Sequence, residues 1–204
     1  MHRVEGQRPP AGAAVLRQSV TAAISDAAFA ELAEVGYARM SMDAVARRAG
    51  VGKAALYRRW RSKEAMVTDL IAETMRRHGV VCPDTGTLIG DLEAYIRSTL
   101  GQLAHPLVAR IVPDLVAEVA RSEPLAAAVR ESVATPRREA VTAMLQRAVE
   151  RAELPADLDY LLAYDFLIAP LSFRRLLMNG PDDEEYVHRL AVATAAALKA
   201  ACTG

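Results

Sequence analysis

Residues 45–64 read VARRAGVGKAALYRRWRSKE, in which a short glycine-containing turn separates two helix-like segments. The twelve residues from Lys53 to Glu64 hold five basic side chains, together with Tyr57 and Trp60. Within 39–63 there are eight basic residues against one acidic residue. A surface with that charge is suited to a polyanion, although charge alone equally fits a solvated helix face.

The turn itself predicts how the two helices cross. A tight turn between helices needs a residue that tolerates positive φ, and Gly50 supplies one. Ala46 is small, so a second helix can pass close to its backbone. The apolar residues that would hold the crossing are Val45, Ala49, Val51 and Leu56. The pattern is typical of a helix-turn-helix, whose second helix is available to the major groove of DNA.

The helical wheel of the second helix separates an inner face from an outer one. Leu56 and Trp60 are four residues apart and therefore share one face, which we assign to the core. The opposite face and its flank carry Lys53, Ala54, Tyr57, Arg58 and Arg61. This outer face predicts contact with a polyanion.

Each residue type on that face suits a particular contact. Arg58 is able to pair with guanine O6 and N7, which would specify sequence. Lys53, Tyr57 and Lys63 suit phosphates, which position a protein without specifying sequence. The small residues Ala54 and Ala55 let the backbone approach base edges. Ser41 and Ser62 begin helices whose free N–H groups also suit phosphates.

The rest of the chain predicts an all-α protein of 204 residues without a membrane span. Apolar residues recur every three or four positions from Val20 to Leu32, and no stretch alternates with period two for long enough to be a strand. Gly, Pro and Asp cluster at 78–86, where we place a domain boundary. Helices are predicted near 87–103, 106–121, 124–152, 157–179 and 183–201. Thr135-Pro136 indicates a kink or a fresh helix start.

Three segments follow from this division: a flexible basic arm at 1–16, a helix-turn-helix domain at 17–78 and a larger helical domain at 79–204. Residues 1–81 hold 13 basic and 8 acidic side chains, and residues 82–204 hold 12 and 17.

The N-terminus lacks the apolar core of an export signal, so we expect a cytoplasmic protein. Cys82 and Cys202 are 120 positions apart and predict buried or incidental thiols.

No motif for catalysis or cofactor binding stands out. We find no nucleophile–base constellation, no HExxH motif, no paired Cys/His spacing and no glycine-rich phosphate loop. The four acids at 182–185 open a helix, where negative charge favours the dipole. We therefore expect neither enzymatic activity nor a metal or cofactor.

The motif as a whole resembles the TetR family of bacterial transcriptional regulators. The resemblance covers 17–78 and rests on AEVGY ending at Tyr37, on SMDAVARRAGVGKAALYRRW from Ser41 to Trp60, and on Ser62-Lys63-Glu64. It implies phosphate contacts at Ser41, Lys53, Tyr57 and Lys63, and base contacts at 52–55 and Arg58. The sequence departs from the family pattern at Gly52, where Ser or Thr is common, at Ala55, and at Trp60 in place of Phe.

For the C-terminal part the resemblance implies a homodimer and a small-molecule effector. The last two helices would pack on a partner, with interface candidates Phe166, Ile168, Phe173, Ala191 and Ala195. A central buried helix in a monomer is the alternative interpretation of the apolar 157–179 segment. Candidate pocket residues are Tyr95, His105, Met144, Tyr164 and Arg174.

The leading hypothesis is therefore a sequence-specific DNA-binding regulator, in this family most often a repressor. Two recognition helices about 34–36 Å apart would enter successive major grooves of a palindromic operator. A bound effector would tilt the fourth helix and change that separation. One alternative is a small helical enzyme. The other is a protein that has lost DNA binding and acts as a small-molecule-binding protein or a protein-interaction adaptor.

Overall fold

The computed structural model describes residues 11–78, 82–178, 180 and 183–201. Most of those residues are helical and none forms a strand, so the predicted all-α class is confirmed. The chain forms two compact units, Met1–Val67 and Thr68–Gly204. The division falls inside a helix, before the boundary that we placed at 78–86. None of the helices described is long and apolar enough to cross a membrane.

Unit 1 contains three helices and the start of a fourth. They are α1 (Ala11–Arg39), α2 (Met42–Arg48), α3 (Lys53–Arg59) and α4 (Lys63–His78), which continues into unit 2. Because α1 begins at Ala11, residues 11–16 of the predicted flexible arm are helical, and residues 1–10 lie outside the described part. Gly36 breaks α1 near its end with φ 77° and ψ 165°, a conformation that favours glycine.

The core of unit 1 follows the predicted apolar stripe. Ile24, Ala28 and Leu32 of α1 are buried, whereas Val20, at the N-terminal end of the stripe, is exposed. Leu56 and Trp60 are buried as predicted. The other buried apolar residues of the unit are Ala27, Tyr37, Met40, Met42, Val45, Ala46, Met66 and Val67. The inner face of α3 is thereby fixed, and its outer face remains exposed.

Unit 2 contains the remaining helices, whose bounds lie close to those predicted. They are α5 (Leu88–Ala104), α6 (Pro106–Val119), α7 (Glu123–Val129), α8 (Thr135–Glu150), α9 (Tyr160–Ser172) and α10 (Glu184–Lys199). Two π-helical segments, Arg130–Ala134 and Phe173–Leu177, join α7 to α8 and extend α9. The described residues thus form nine continuous helical runs.

The sequence left open whether Thr135-Pro136 marks a kink or a fresh helix start. The π-helical segment before α8 excludes the fresh start. Ala134 precedes α8 with helical φ and ψ, and no side chain caps the helix there. The helical run therefore passes through a π-helical segment into α8 and does not begin a fresh, Thr-capped helix. The reason is that Pro136 has no N–H to donate, and the wider π turn accommodates the missing bond.

A buried ion pair fixes the start of α5. Asp91 is fully buried and accepts hydrogen bonds from Thr85 N (2.6 Å), Thr85 Oγ1 (2.9 Å) and Arg151 Nη2 (2.9 Å). Burial alone would raise the pKa of Asp91, but these bonds outweigh it and lower the pKa. Glu153 accepts from Leu88 N (2.5 Å) and from Arg151 Nε (2.6 Å). The network ties the segment before α5 to the end of α8.

Candidate nucleic-acid interface

The turn between α2 and α3 has the geometry that the sequence predicts. The Ser41 Oγ accepts a hydrogen bond from Ala44 N (3.1 Å) and caps α2. Gly50 has φ 66°, and Val51 N donates to Ala46 O (3.0 Å). Gly52 is the N-cap of α3 and makes no side-chain cap bond. The two helices are therefore joined by a tight, hydrogen-bonded turn.

The outer surface of α3 is exposed along its length. We call it the α3 face; it consists of Gly52, Lys53, Ala54, Ala55, Tyr57 and Arg58, all of them exposed. Ser41, at the start of α2, is exposed as well. Seven of the eight predicted contact residues thus lie on the surface of unit 1, while Leu56 points into the core.

An acidic residue from α2 contacts the α3 face, and the sequence did not reveal this. Lys53 Nζ lies 2.5 Å from Asp43 Oδ2, and Tyr57 Oη donates to Asp43 Oδ1 over 3.3 Å. The hydrogen bond from Lys53 is the main reason that the pKa of Asp43 is lowered, and the same bond raises the pKa of Lys53. One carboxylate therefore binds two of the predicted phosphate contacts.

Arg58 differs from Arg59 and Arg48, both of which have partners within unit 1. Arg59 donates to Thr21 Oγ1 (2.6 Å), and its guanidinium lies 4.4 Å from the centre of the Trp60 ring. Arg48 pairs with Glu34 and, at 3.2 Å, with Glu31. Arg58 makes no hydrogen bond or ion pair with any residue that the structure describes, so its guanidinium is available to a ligand.

Lys63 occupies a different position from the other predicted contacts. Its Nζ donates to the carbonyl oxygens of Tyr37 (2.8 Å) and Ala38 (3.3 Å), and it lies 4.3 Å from the centre of the Tyr37 ring. These carbonyls follow the break at Gly36. The half-buried ammonium therefore hydrogen-bonds carbonyl oxygens at the end of α1 and also faces solvent. The motif alone did not indicate these hydrogen bonds.

The predicted pocket residues of unit 2 occupy different environments, and Tyr164 packs against the core cluster that contains Tyr95 and Met144. Tyr95 and Met144 are in the core, and His105 is an exposed N-cap that accepts from Leu107 N (3.3 Å). Arg174 lies 3.5 Å from the centre of the Tyr186 ring. Only Tyr164 lines a groove, of about 190 Å³. The other residues that line this groove are Arg130, Ala134, Thr135, Arg138, Leu161 and Asp165.

The predicted interface residues divide into two groups. Phe166 and Phe173 are 45% and 57% exposed, and Ile168 is half-buried. Ala191 and Ala195, by contrast, lie in the hydrophobic core of unit 2 and so are not open to a partner. Only tertiary packing decides which face of the alanine-rich α10 turns inward. Its exposed face carries Val192, Ala193 and Ala196.

An exposed apolar patch accompanies Phe166 and Phe173. We call it the α9 patch; it consists of Leu161, Leu162, Phe166, Phe173, Leu177 and Met178. Each of these side chains is at least 40% exposed. So many large apolar residues on one helix and its π-helical extension are typical of a protein–protein interface.

The described residues hold no group of three His, Cys, Asp or Glu side chains that would bind a metal. Cys82 is a half-buried free thiol, and burial raises its pKa. Cys202 lies outside the described residues. Asp183 caps α10 by accepting from Tyr186 N (2.8 Å), as the acidic run there predicts.

Comparison with known proteins gives the family. Residues 24–70 match the model described as bacterial regulatory proteins, tetR family, and residues 82–194 match the tetracyclin repressor-like, C-terminal domain. A DNA-binding transcriptional repressor TetR from Mycobacteroides abscessus is 34% identical over 173 residues, covering 83% of this chain and 88% of that protein.

Solved structures agree with these matches. The TetR family transcription regulator SCO0332 has a TM-score of 0.69 at 28% identity, covering 87% of this chain and 97% of that one. The flavonoid-responsive regulator FrrA has a TM-score of 0.70 at 27% identity, covering 91% and 97%. The chain belongs to the TetR family of bacterial transcriptional regulators. It is a DNA-binding protein with a helix-turn-helix in unit 1.

Proposed function

We propose that this chain is a homodimeric repressor that binds a palindromic operator and releases it when a small molecule binds unit 2. The observation that carries the proposal is the α3 face, which is exposed and cationic while the opposite side of α3 is buried. Such a helix is held rigidly by its inner residues and presents its outer residues to a groove. The protein would act in the cytoplasm, where it reaches DNA.

In this proposal residues 17–78 form the DNA-binding domain, and its side chains have separate roles. Arg58, with no partner among the described residues, reads a guanine edge. Lys53 and Tyr57 bind phosphates, as does Ser41 at the N-terminus of α2. Gly52, Ala54 and Ala55 carry no large side chain and so allow close approach to the bases. Lys63 holds the α1 end in place and contributes its charge to the same side of the domain.

Residues 79–204 form the effector-binding and dimerisation domain in this proposal. The α9 patch supports a homodimer, because its apolar side chains lose contact with water when a second copy covers them. Phe166, Ile168 and Phe173 remain interface candidates, and Val192 with Ala193 on the exposed face of α10 replace Ala191 and Ala195. A two-fold dimer would place two α3 helices on one palindrome.

Release follows from a shift between two states. Because α4 begins in unit 1 and continues in unit 2, a change at its unit 2 end is transmitted along one continuous helix. An effector that binds the non-operator state more tightly favours that state by its differential affinity. A preference of about 1.4 kcal/mol for the non-operator state lowers the affinity for DNA about tenfold. That FrrA responds to a flavonoid supports a small organic effector here.

The test compares three variants on operator and random duplexes by fluorescence anisotropy at several salt concentrations. Arg58→Ala is expected to lose most of its preference for operator while keeping random-duplex affinity. Lys53→Ala is expected to weaken binding to both, and to reduce the salt slope by about 1.8 for two lost phosphates per dimer.

Arg110→Ala removes an exposed arginine from α6 and is the matched control. The adaptor alternative would be favoured if charge reversal at Arg58 and Lys53 left DNA binding unchanged.

A further inference from the structure

The interior of unit 2 contains an arginine whose charge no carboxylate balances. Arg137, one residue after Pro136, is half-buried. Its Nε donates to Tyr95 Oη (3.2 Å), and its Nη2 donates to Thr99 Oγ1 (3.3 Å). Tyr95 and Thr99 are 1% and 2% exposed. Both partners are neutral, so they satisfy two N–H groups without neutralising the guanidinium.

Several other arginines of unit 2 do have acidic partners. Arg97 pairs with Glu184 at 2.6 Å, Arg130 with Glu123 at 3.3 Å, and Arg151 with Asp91 at 2.9 Å. Arg137 forms no such pair with any carboxylate in 82–178 or 183–201, the parts of unit 2 beyond α4 that the structure describes. Placing an uncompensated charge where water is limited costs free energy, and an incoming anion would recover it.

A groove of matching chemistry is lined by residues on either side of Arg137 in the sequence, while Arg137 itself is not among its lining residues. Arg138, the next residue, lines the groove together with Leu161, Tyr164 and Asp165. Burial raises the pKa of Tyr164, and the Tyr95 phenol adds to that effect, whereas Arg137 and Arg138 act in the opposite direction. Tyr164 is therefore within electrostatic range of both arginines and of Tyr95.

We propose that unit 2 binds a small organic monoacid, whose carboxylate pairs with Arg137 and whose apolar or aromatic body lies along Tyr164 and Leu161. Nε and one Nη2 hydrogen already donate to Tyr95 and Thr99, so the carboxylate oxygens would accept from the remaining Nη1 and Nη2 hydrogens. The groove, at about 190 Å³, is smaller than a drug-sized pocket, which indicates a compact ligand. Asp165 on the groove disfavours a multiply charged anion. This inference rests on the proposed function, since the acid would be the effector.

The test measures ligand binding to the full chain in the absence of DNA, so its outcome does not depend on operator recognition. The probes are 2-naphthoate and its neutral carboxamide, added to wild type, Arg137→Gln and the control Arg110→Gln. Isothermal titration is expected to show that wild type binds the acid at least tenfold more tightly than the amide. Arg137→Gln should lose at least tenfold in affinity for the acid, and Arg110→Gln should lose none.

Thermal denaturation without ligand supplies a second readout. Arg137→Gln is expected to leave the midpoint unchanged or to raise it, because an uncompensated charge is removed. A purely structural arginine would instead lower the midpoint when its bonds to Tyr95 and Thr99 are lost.

Three results would overturn the proposal: equal binding of acid and amide, unchanged acid binding in Arg137→Gln, or no acid binding by the folded wild type. Inorganic phosphate binding as tightly as naphthoate would overturn the assignment to an organic monoacid. If the acid binds as expected while no duplex binds, the repressor proposal fails and the acid site stands.

Discussion

Asp43 Oδ2 and Lys53 Nζ lie 2.5 Å apart, and Asp43 Oδ1 also accepts from Tyr57. The carboxylate from α2 thus holds two side chains of the α3 face that are proposed to bind phosphates. A phosphate that approaches Lys53 competes with Asp43 and is also repelled by it. We therefore expect Asp43 to lower the affinity for DNA in general and to leave base contacts a larger share of the discrimination.

Asp43→Asn is accordingly expected to bind random duplex roughly three- to tenfold more tightly at low salt, because Lys53 is released and one negative charge is removed per protomer. The gain on operator should be smaller than the gain on random duplex, so specificity falls. Anisotropy titrations at ~50 mM salt measure both affinities. Asp26→Asn removes an exposed acid from α1 and is the control. Weaker binding by Asp43→Asn would mean that Asp43 orients Lys53 for phosphate instead of competing with it.

Gly52 provides a prediction about stability. It has extended φ and ψ of −65° and 134° at the N-cap of α3, and a Cβ there would meet no atom within 4 Å. Gly52→Ser is expected to stabilise the fold by about 0.5–1 kcal/mol, through a cap bond and a less flexible unfolded chain.

Thermal denaturation at one fixed protein concentration should show a midpoint a few degrees higher for Gly52→Ser. Gly50→Ser is the matched control, because its φ of 66° strains any side chain and the midpoint should fall. A lower midpoint in both variants would mean that the start of α3 does not tolerate a side chain at either glycine.

The α9 patch provides a prediction about assembly. Phe166→Asp places a charge in the middle of the proposed interface, where burying it without a partner is costly. Size-exclusion chromatography with light scattering is expected to give a dimer for wild type and a monomer for this variant at micromolar concentration. Val116→Asp alters a more exposed apolar residue on α6 and should leave the dimer intact. A monomeric wild type would exclude the homodimer.

The Asp91 network provides a prediction about the free energy of unfolding at neutral pH. Asp91→Asn leaves Arg151 without its buried partner, and we expect a loss of about 2–4 kcal/mol in urea denaturation at pH 7. This expected loss of stability is at or below the loss typical of breaking a fully buried ion pair, because the Arg151 side chain is 25% exposed. Asp84→Asn, whose side chain is 62% exposed, should cost less than about 1 kcal/mol.

The pH dependence follows from the lowered pKa of Asp91. A carboxyl whose folded pKa lies below its unfolded value of about 3.9 stabilises the fold at higher pH and loses that contribution as the pH falls through the folded pKa. The difference between wild type and Asp91→Asn should therefore be constant above about pH 5 and shrink below pH 4. A difference that does not change with pH would contradict the assigned charge state.

Local features of this fold could be predicted because their causes are local. Except for the start of α1, the period of apolar residues gave the helices within a few residues of their observed bounds. Gly50, Ser41 and Ser62 have the conformations or cap bonds expected of them. Leu56 and Trp60 are buried because their spacing puts them on one face. These features depend on neighbours within one or two helical turns.

Contacts between distant segments could not be predicted in the same way. The pair Asp43–Lys53 depends on how α2 and α3 cross, and the inward position of Lys63 depends on carbonyls freed by the break at Gly36. Ala191 and Ala195 are small, but only packing shows that they lie in the core of unit 2. The bonds from Arg137 to Tyr95 and Thr99 join residues about forty positions apart. No spacing rule connects such pairs.

The most direct test of the central claim is a footprint of the purified protein on the DNA upstream of its own gene and neighbouring genes, at ~50 and ~200 mM salt. We predict a protected palindrome whose two halves are centred about one helical turn apart, with affinity falling by orders of magnitude between the two salt concentrations. Arg58→Ala should abolish the protection. Protection that is independent of salt and of Arg58, or a folded dimer that protects no DNA in the same assay, would contradict the account.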